Sequence, residues 1–465
     1  MQLGDILDDF TLDVATGGLE ITHVDIDSRD CVPGSLFFAM PGTATNGARF
    51  AADAVGRGAL CVIAGAPVEV AAPVVVVPST QLGALCAHAS AAVVGHPETK
   101  TRLVAVTGTN GKTSVTTIVA DLARALSWNG ANIGTLTNER TTPAAPELFR
   151  TLASLVDGFD PTARHSVVAM EVSSHAMSQH RVDGLEFTVA AFTNLSHEHL
   201  DYHGSMEEYF VVKSRLFTAE HSQRAVIWDD DPYGERLAAS TSLPVTRVSR
   251  RDATDVETTL KGTTFFWRGH LVNSALLGDY NVDNALIAMT IMSVLGADAD
   301  AVAAAMGEVS SISGRFDVVR GTDVTVIVDY AHTPEGLRRL LEDVRAMLPE
   351  GRIITVFGCG GDRDRSKRPE MGLVASTYSD VTIVTSDNPR SESPESIIDA
   401  VMSGVVSGAN VTRDVDRRSA IERALDEATP GDVVVVAGKG HETTQTIGDV
   451  VVPFDDRVVA RELLR

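Results

Sequence analysis

Basic residues are scarce in this chain: 39 Lys and Arg stand against 62 Asp and Glu, a net charge of −23. A nucleic-acid binder carries a basic stripe or patch, so nucleic acid is not an expected partner. A polyanionic ligand would need local clusters of Arg and Lys that run against the overall sign. Cysteine is scarce too. Cys31, Cys61, Cys86 and Cys359 form no C-x-x-C pair and lie in apolar stretches, so reduced structural thiols are expected. No apolar run approaches the length of a membrane span. The N-terminal Met1-Gln-Leu-Gly-Asp-Ile6 has neither a basic nor an apolar leader segment. The expectation is a cytoplasmic protein without membrane insertion, working as a monomer. Tandem repeats and low-complexity tracts are absent as well.

What the chain does have is ordinary globular composition, 44% hydrophobic over 465 residues, enough for several cores and two to four domains. Its rhythm suggests three blocks. Residues 1–100 hold short apolar runs at 36–40, 60–64 and 74–77, punctuated by Gly and Pro. Residues 101–314 open with the apolar run 103–106, then a Gly-rich turn and a helical pattern over 114–126. Further strand patterns fall at 167–172 and 189–192. Residues 315–465 alternate most clearly. Strands at 324–328, 353–357, 381–384 and 433–436 interleave with helices at 334–348, 394–405 and 417–428. The predicted fold class is α/β: an N-terminal α/β domain, a central P-loop ATPase-like parallel sheet, and a C-terminal Rossmann-like doubly wound domain. Ligands of such sheets sit beyond the carboxyl ends of the strands, where the polar motifs of the third block lie.

Thr107-Gly-Thr-Asn-Gly-Lys-Thr113 follows a strand and opens a helix. Its glycines let backbone amides turn onto phosphate oxygens, and the helix N-terminus adds partial positive charge. Lys112 would reach the outer phosphates and Thr113 could hold Mg²⁺. The spacing G-x-x-G-K-T is shorter than the common P-loop, and the plain alternative is a Gly-rich turn with an exposed lysine. Glu171 ends one strand and His199 follows another; with Thr113 they could hold Mg²⁺ against phosphates, although taken singly they read as a helix cap and a loop histidine.

The short phosphate loop resembles that of the Mur ligase family. Other segments match in order: Asp27-Ser-Arg29, Thr141-Thr-Pro143, Glu171-Val-Ser-Ser-His175, His199-Leu-Asp-Tyr-His-Gly204, Lys213, Gly314-Arg315 and Asp329-Tyr-Ala-His-Thr-Pro334. They continue through Phe357-Gly-Cys-Gly-Gly-Asp-Arg-Asp364, Asp387-Asn-Pro-Arg390 and Gly438-Lys-Gly-His-Glu442. Departures fall at Asn46-Gly-Ala48, Ser79-Thr-Gln-Leu82 and Glu198, where the family commonly carries other residues.

The resemblance implies an ATP-dependent amide-forming ligase with Mg²⁺. It places ATP on Gly108, Thr109, Asn110, Gly111, Lys112, Thr113, Ser114, Asn281, Arg315 and Asp329. It assigns the metal to Thr113, Glu171 and His199. Catalytic roles fall to Lys112, Glu171, His199 and Lys213, the last as N6-carboxylysine. Physics of the sequence alone would read Lys213 as a solvated helix lysine. Ser28, Thr141, Thr142, Ser173, Gln179 and Arg181 would grip a UDP-N-acetylmuramoyl-L-Ala-D-Glu substrate, although Thr141-Thr-Pro143 also reads as a helix N-cap followed by proline.

The amino-acid pocket would comprise Arg363, Asp387, Asn388, Arg390, Gly438 and Glu442. A guanidinium fork suits a carboxylate and Glu442 suits an ammonium, a pair that fits the distal end of meso-diaminopimelate. Lysine lacks that carboxylate and would leave the fork unpaired. The plain alternative pairs Arg390 with Glu392 or Glu395 at the surface. Competing functions are a lysine-adding ligase of the same family and a non-catalytic nucleotide-binding paralogue.

Overall fold

A computed structural model describes residues 1–8, 10, 12–42, 46–138, 140–198, 200–321 and 324–464. The α/β expectation holds. The described residues gather into two compact units, 1–252 with 284–305, and 253–283 with 306–465.

The first unit holds two parallel sheets. Strands His23–Asp25, Ser35–Ala39, Ala59–Ala64 and Val74–Val76 pair in sequence order. The six-stranded sheet runs Val245–Val248, Ala225–Trp228, Val189–Phe192, Arg102–Thr107, Ser166–Glu171, Asn129–Ile133, all parallel. Its central strands are continuous apolar runs because both faces are covered. One core joins the two sheets: Leu3, Ile6, Phe38 and Ile63 belong to the same buried cluster as Leu103, Leu148, Phe149 and Met170.

The second unit holds a six-stranded sheet ordered Asp317–Arg320, Thr325–Asp329, Val433–Ala437, Ile353–Phe357, Val381–Thr385, Val411–Asp414. Only the edge strand Asp317–Arg320 is antiparallel. Val433–Ala437 lies between two neighbours and is buried along its length, which its unbroken aliphatic sequence requires. Helix Pro334–Met347 starts where Thr333 caps Gly336 N and Pro334 takes the first turn, where its missing N–H costs nothing.

Two antiparallel elements were not legible in the hydrophobic rhythm. Strands Ala253–Thr259, Gly262–Trp267 and His270–Ser274 form a three-stranded sheet. The first alternates exposed Thr, Asp and Glu with half-buried positions, so it carries no apolar run. The available signal was the turn: Arg268 and Gly269 both take positive φ between two β-prone runs. Strands Thr444–Ile447 and Val450–Pro453 form a hairpin after the Gly438-Lys-Gly-His-Glu442 segment.

Asp343, on helix Pro334–Met347, accepts the Asp279 N–H at the start of helix Asp279–Val294 (2.9 Å). Burial, with help from the nearby Asp279 and Glu342 charges, pushes its carboxyl up from 3.8 to about 7. A carboxyl raised in the native state holds its proton more tightly there than when unfolded. Its stabilisation is complete below the unfolded value and is lost as pH rises through about 7. Asp343→Asn keeps the acceptor without the charge. It is expected to raise stability at about pH 8, on the order of 3 kcal/mol, and to change little near pH 4. Paired denaturant titrations at the two pH values measure this; an equal effect at both would remove the carboxyl as the cause.

Candidate active site

The phosphate loop sits at the carboxyl end of strand Arg102–Thr107, ahead of helix Lys112–Ala125. Gly108 takes φ +147°, and a Cβ there would collide with the Thr193 hydroxyl; only glycine lets the loop lie this close to the neighbouring strand end. Thr109 N donates to Asn194 O (2.9 Å), Asn110 N to the Asn194 side chain (2.9 Å) and Thr193 Oγ1 to Asn110 O (2.6 Å). Lys112 Nζ bridges Gly108 O (3.0 Å) and Thr109 O (2.7 Å), so its ammonium is held over the loop. Ser114 is buried within the helix. Asn284 lies against Gly111 and is buried; Asn281, one turn earlier on helix Asp279–Val294, is buried with its amide donating to Leu277 O (2.7 Å).

Glu171 ends strand Ser166–Glu171 and is 1% exposed. Its Oε2 accepts from Thr113 Oγ1 (3.0 Å) and its Oε1 from Thr135 N (2.8 Å). Among the described residues it makes no ion pair. A buried carboxylate without a cation, touching the loop threonine, has the donor chemistry for a hard divalent ion. No group of three His, Cys, Asp or Glu side chains placed to hold a metal ion occurs among the described residues. His199 lies outside them.

Lys213, 2% exposed on helix Met206–Ser214, points back at the loop. It bonds Gly108 O (3.0 Å) and Thr107 Oγ1 (3.4 Å) and lies 4.7 Å above the Tyr209 ring. Burial, and then the Lys112 charge, hold its ammonium well below the usual lysine range. The surface-lysine reading is therefore wrong. Sequence reasoning missed its surroundings: Tyr209 stacks on His203 (5.0 Å), whose Nε2 meets the Ser174 hydroxyl (2.8 Å).

Beside Glu171, the residues expected to grip a peptide and a sugar nucleotide come together. Thr142 Oγ1 donates to Glu171 O (2.9 Å) and meets Ser173 Oγ (3.3 Å). Arg181 donates to Thr142 O (2.6 Å) and to Gln179 Oε1 (2.6 Å). Thr141 Oγ1 accepts from Thr135 (3.2 Å). Neither threonine caps a helix: the next helix, Ala145–Asp157, has Ala144 at its N-cap, so the capping alternative is overturned. Among the described residues Arg181 has no ion-pair partner within salt-bridge distance, and its guanidinium is held by the Thr142 carbonyl and the Gln179 amide. Arg140, which the sequence did not single out, acts electrostatically on both Arg181 and Asp27. Ser28 is buried, and its hydroxyl helps hold the Asp53 carboxyl below its ordinary range.

In the second unit, Asp329 is buried at a strand end. It accepts from Tyr280 Oη (3.0 Å), Phe316 N (2.7 Å) and Ala331 N (2.7 Å). Burial raises its carboxyl pKa despite the Arg315 charge. The Arg315 guanidinium lies 4.4 Å over the Tyr330 ring, and His441 packs against that ring (5.0 Å). Burial, followed by Arg315, holds His441 down to about 4, so it is neutral at pH 7.

Three loops converge past strands Ile353–Phe357, Val381–Thr385 and Val433–Ala437. Gly361 has no room for a Cβ against Pro389 O, which draws the 358–361 loop onto the Asp387-Asn-Pro-Arg390 turn. Ser391 Oγ donates to Asp362 (2.7 Å) and laces the same loops. Arg390 takes φ +51°, a strained conformation outside glycine, and its side chain donates to Gly361 O (2.7 Å). Gly360 lies between the Arg390 and Arg363 side chains. Glu392 pairs with Arg368 (2.9 Å) and Arg365 (3.1 Å), and Glu395 accepts from Ser393. The surface-pair alternative for Arg390 therefore fails: among the described residues neither Arg390 nor Arg363 has a carboxylate partner. Asp387, Asn388 and Glu442 lie on the same loops, beside Gly438 (φ +112°). Beneath them Arg417 and Asp456, fully buried, form a bidentate pair (2.7 Å each). Arg417 also ties Ser386 O and Ala437 O, so it fixes two strand ends at once.

A nucleotide loop, a lone buried carboxylate and a guanidinium pocket on two α/β units define an ATP-using ligase of the Mur type. The chain matches the Mur ligase family, catalytic domain, over residues 20–112, the Mur ligase middle domain over 106–292 and the Mur ligase, glutamate ligase domain over 314–440. It belongs to the Mur ligase family, as the ordered motifs implied. Curated relatives named UDP-N-acetylmuramoyl-L-alanyl-D-glutamate--2,6-diaminopimelate ligase are similar across nearly the whole chain. The one from Gloeobacter violaceus is 43% identical, covering 96% of this chain and 94% of its own. That from Geobacillus kaustophilus is 42% identical, covering 97% and 96%. A solved structure bearing the same enzyme name is 31% identical, with a TM-score of 0.69 over 100% of this chain and 98% of the other. The MurF ligase of Thermotoga maritima, solved with ADP, shares the fold at 16% identity, with a TM-score of 0.68 over 96% and 97%. No helix among the described residues is long and apolar enough to cross a membrane.

Proposed function

We propose that this chain is the ATP-dependent ligase that adds meso-diaminopimelate to UDP-N-acetylmuramoyl-L-alanyl-D-glutamate in the cytoplasm, acting as a monomer in peptidoglycan precursor synthesis. The observation that carries the substrate is Arg390, tethered at Gly361 O beside Arg363, with no ion pair among the described residues and Glu442 on a neighbouring loop. An amino acid whose far end bears both a carboxylate and an ammonium satisfies both charges.

The domain division follows the three blocks: 1–100 for the nucleotide sugar, 101–314 for ATP and 315–465 for the amino acid. Residues 108–114 cradle the triphosphate, and Asn281, Arg315 and Asp329 complete the ATP contacts. Thr113, Glu171 and His199 hold Mg²⁺, which when bound neutralises phosphate charge. Lys112 and Arg315 add positive charge where the γ-phosphoryl leaves ADP for the D-Glu carboxylate, a transfer driven by positioning and electrostatics. Ser28, Thr141, Thr142, Ser173, Gln179 and Arg181 hold the acceptor. The amine of diaminopimelate then displaces phosphate from the acyl phosphate. Lys213 takes up carbon dioxide as N6-carboxylysine. Its burial favours the neutral amine that this addition needs, and the carbamate formed, with release of one proton, would place a negative charge beside the phosphate loop.

A substrate panel tests this reading: phosphate release and product mass with the UDP-dipeptide and either diaminopimelate or lysine. Diaminopimelate is expected to be ligated at least about 10³-fold more efficiently, since the lysine complex leaves the guanidinium fork unpaired. Preference for lysine would end it. Native mass spectrometry in bicarbonate is expected to show one added carboxyl group, abolished in Lys213→Met.

A further inference from the structure

Lys439, the second residue of the Gly438-Lys-Gly-His-Glu442 segment, has no assigned part in the reaction above, yet its side chain is fully buried. Burying an ammonium is costly unless fixed partners surround it. The partners are Thr444 O (2.6 Å), Glu442 Oε2 (3.0 Å) and, further off, Asp387 Oδ1 (3.7 Å). Asn388 Nδ2 donates to the same Glu442 oxygen (2.7 Å). Both donors therefore converge on Oε2. Among the described residues Oε1 accepts no hydrogen bond, and the Glu442 side chain keeps 30% of its exposure. Half of this carboxylate is clamped and half is open.

We propose that Lys439 is a positioning residue that, with Asn388, pins one oxygen of Glu442 and so aims the other at the distal ammonium of the incoming amino acid. This rests on the reading above that the pocket takes a diamino acid. A glutamate has three side-chain torsions, and leaving them free at binding would cost affinity for each one frozen. A charge-assisted bond from a buried, itself immobilised lysine removes that freedom in advance. Thr444 O, which opens the hairpin strand Thr444–Ile447, fixes the lysine in turn.

The test is a double-mutant cycle on the full-length protein, read as KM for meso-diaminopimelate with ATP and UDP-dipeptide saturating. Lys439→Met is expected to raise that KM about 30-fold while leaving the KM for ATP within about twofold. Glu442→Gln raises it too. In the Glu442→Gln background, Lys439→Met is expected to add less than about threefold, because its effect runs through the carboxylate. A full 30-fold penalty in both backgrounds, or a parallel rise in the KM for ATP, would make Lys439 a structural residue and overturn the proposal. If Lys439→Met does not fold, as judged by its melting curve, the same cycle is run with Lys439→Gln. That variant keeps a neutral donor and is expected to cost about tenfold on the same criterion. The wild-type arm stands apart: failure of the wild type to ligate diaminopimelate would refute the substrate reading, not the coupling of the two side chains.

Discussion

Lys112→Met is expected to lower kcat about 10³-fold with a melting temperature within a few degrees of wild type. The ammonium is held by two loop carbonyls, Gly108 O and Thr109 O, so it is aimed before any substrate arrives. Charge developing on transferred phosphoryl oxygens is stabilised most by such preset groups, and removing one costs about 10²–10³-fold or more. The loop itself should persist in the variant. Its shape comes from Gly108, Thr193 and Asn194, which hold it by bonds that do not involve the lysine side chain. Single-turnover formation of ADP checks the expectation. A variant with wild-type turnover would mean that this loop does not act on the outer phosphates.

Arg390→Lys should cut kcat/KM for diaminopimelate about 10²–10³-fold, the value of a lost bidentate carboxylate contact, and leave the KM for ATP unchanged. Lysine keeps the charge and tolerates the same backbone, so the change isolates the planar fork. The fork has something to lose because, among the described residues, it forms no ion pair and is held only at Gly361 O. Glu392, the nearest candidate in sequence, is committed to Arg368 and Arg365, and those two cations hold it down to about 2 together with the Asp362 N–H. An unchanged rate would place the distal carboxylate elsewhere, and Arg363→Lys would be the next variant to measure.

Ten parallel strands announced themselves as aliphatic runs, which burial on both faces favours, whereas the parallel strands His23–Asp25, Asn129–Ile133, Ala225–Trp228, Val245–Val248 and Val411–Asp414 were not read. Residues 189–192 and 353–357 were read without error, and most other strand ends moved by a residue or two. Strand Ala253–Thr259 was illegible for the opposite reason: half of it faces solvent, and threonine with glutamate does not distinguish it from a loop. At the site, glycine spacing and guanidinium placement were legible, since no other residue types do that chemistry. The burial of Lys213 was not, because its helix, Met206–Ser214, has polar residues on several sides. Nor were Arg417, Asp456 and Lys439. A buried charge leaves no pattern in one sequence: the partners of Arg417 lie 20 and 39 residues away, and nothing in the local run around Lys439 marks its ammonium as enclosed.

The chain crosses between its two units three times, after residues 252, 283 and 305. Neither unit is a continuous stretch of polypeptide, and helix Asp279–Val294 contributes to both. During synthesis from the N-terminus, the first unit lacks its last segment until residue 305 has emerged, while the three strands between 253 and 274 are already out ahead of the rest of their own unit, which resumes at 306. Any gene fragment cut at a single linear boundary between residues 252 and 306 therefore leaves one unit without one of its segments.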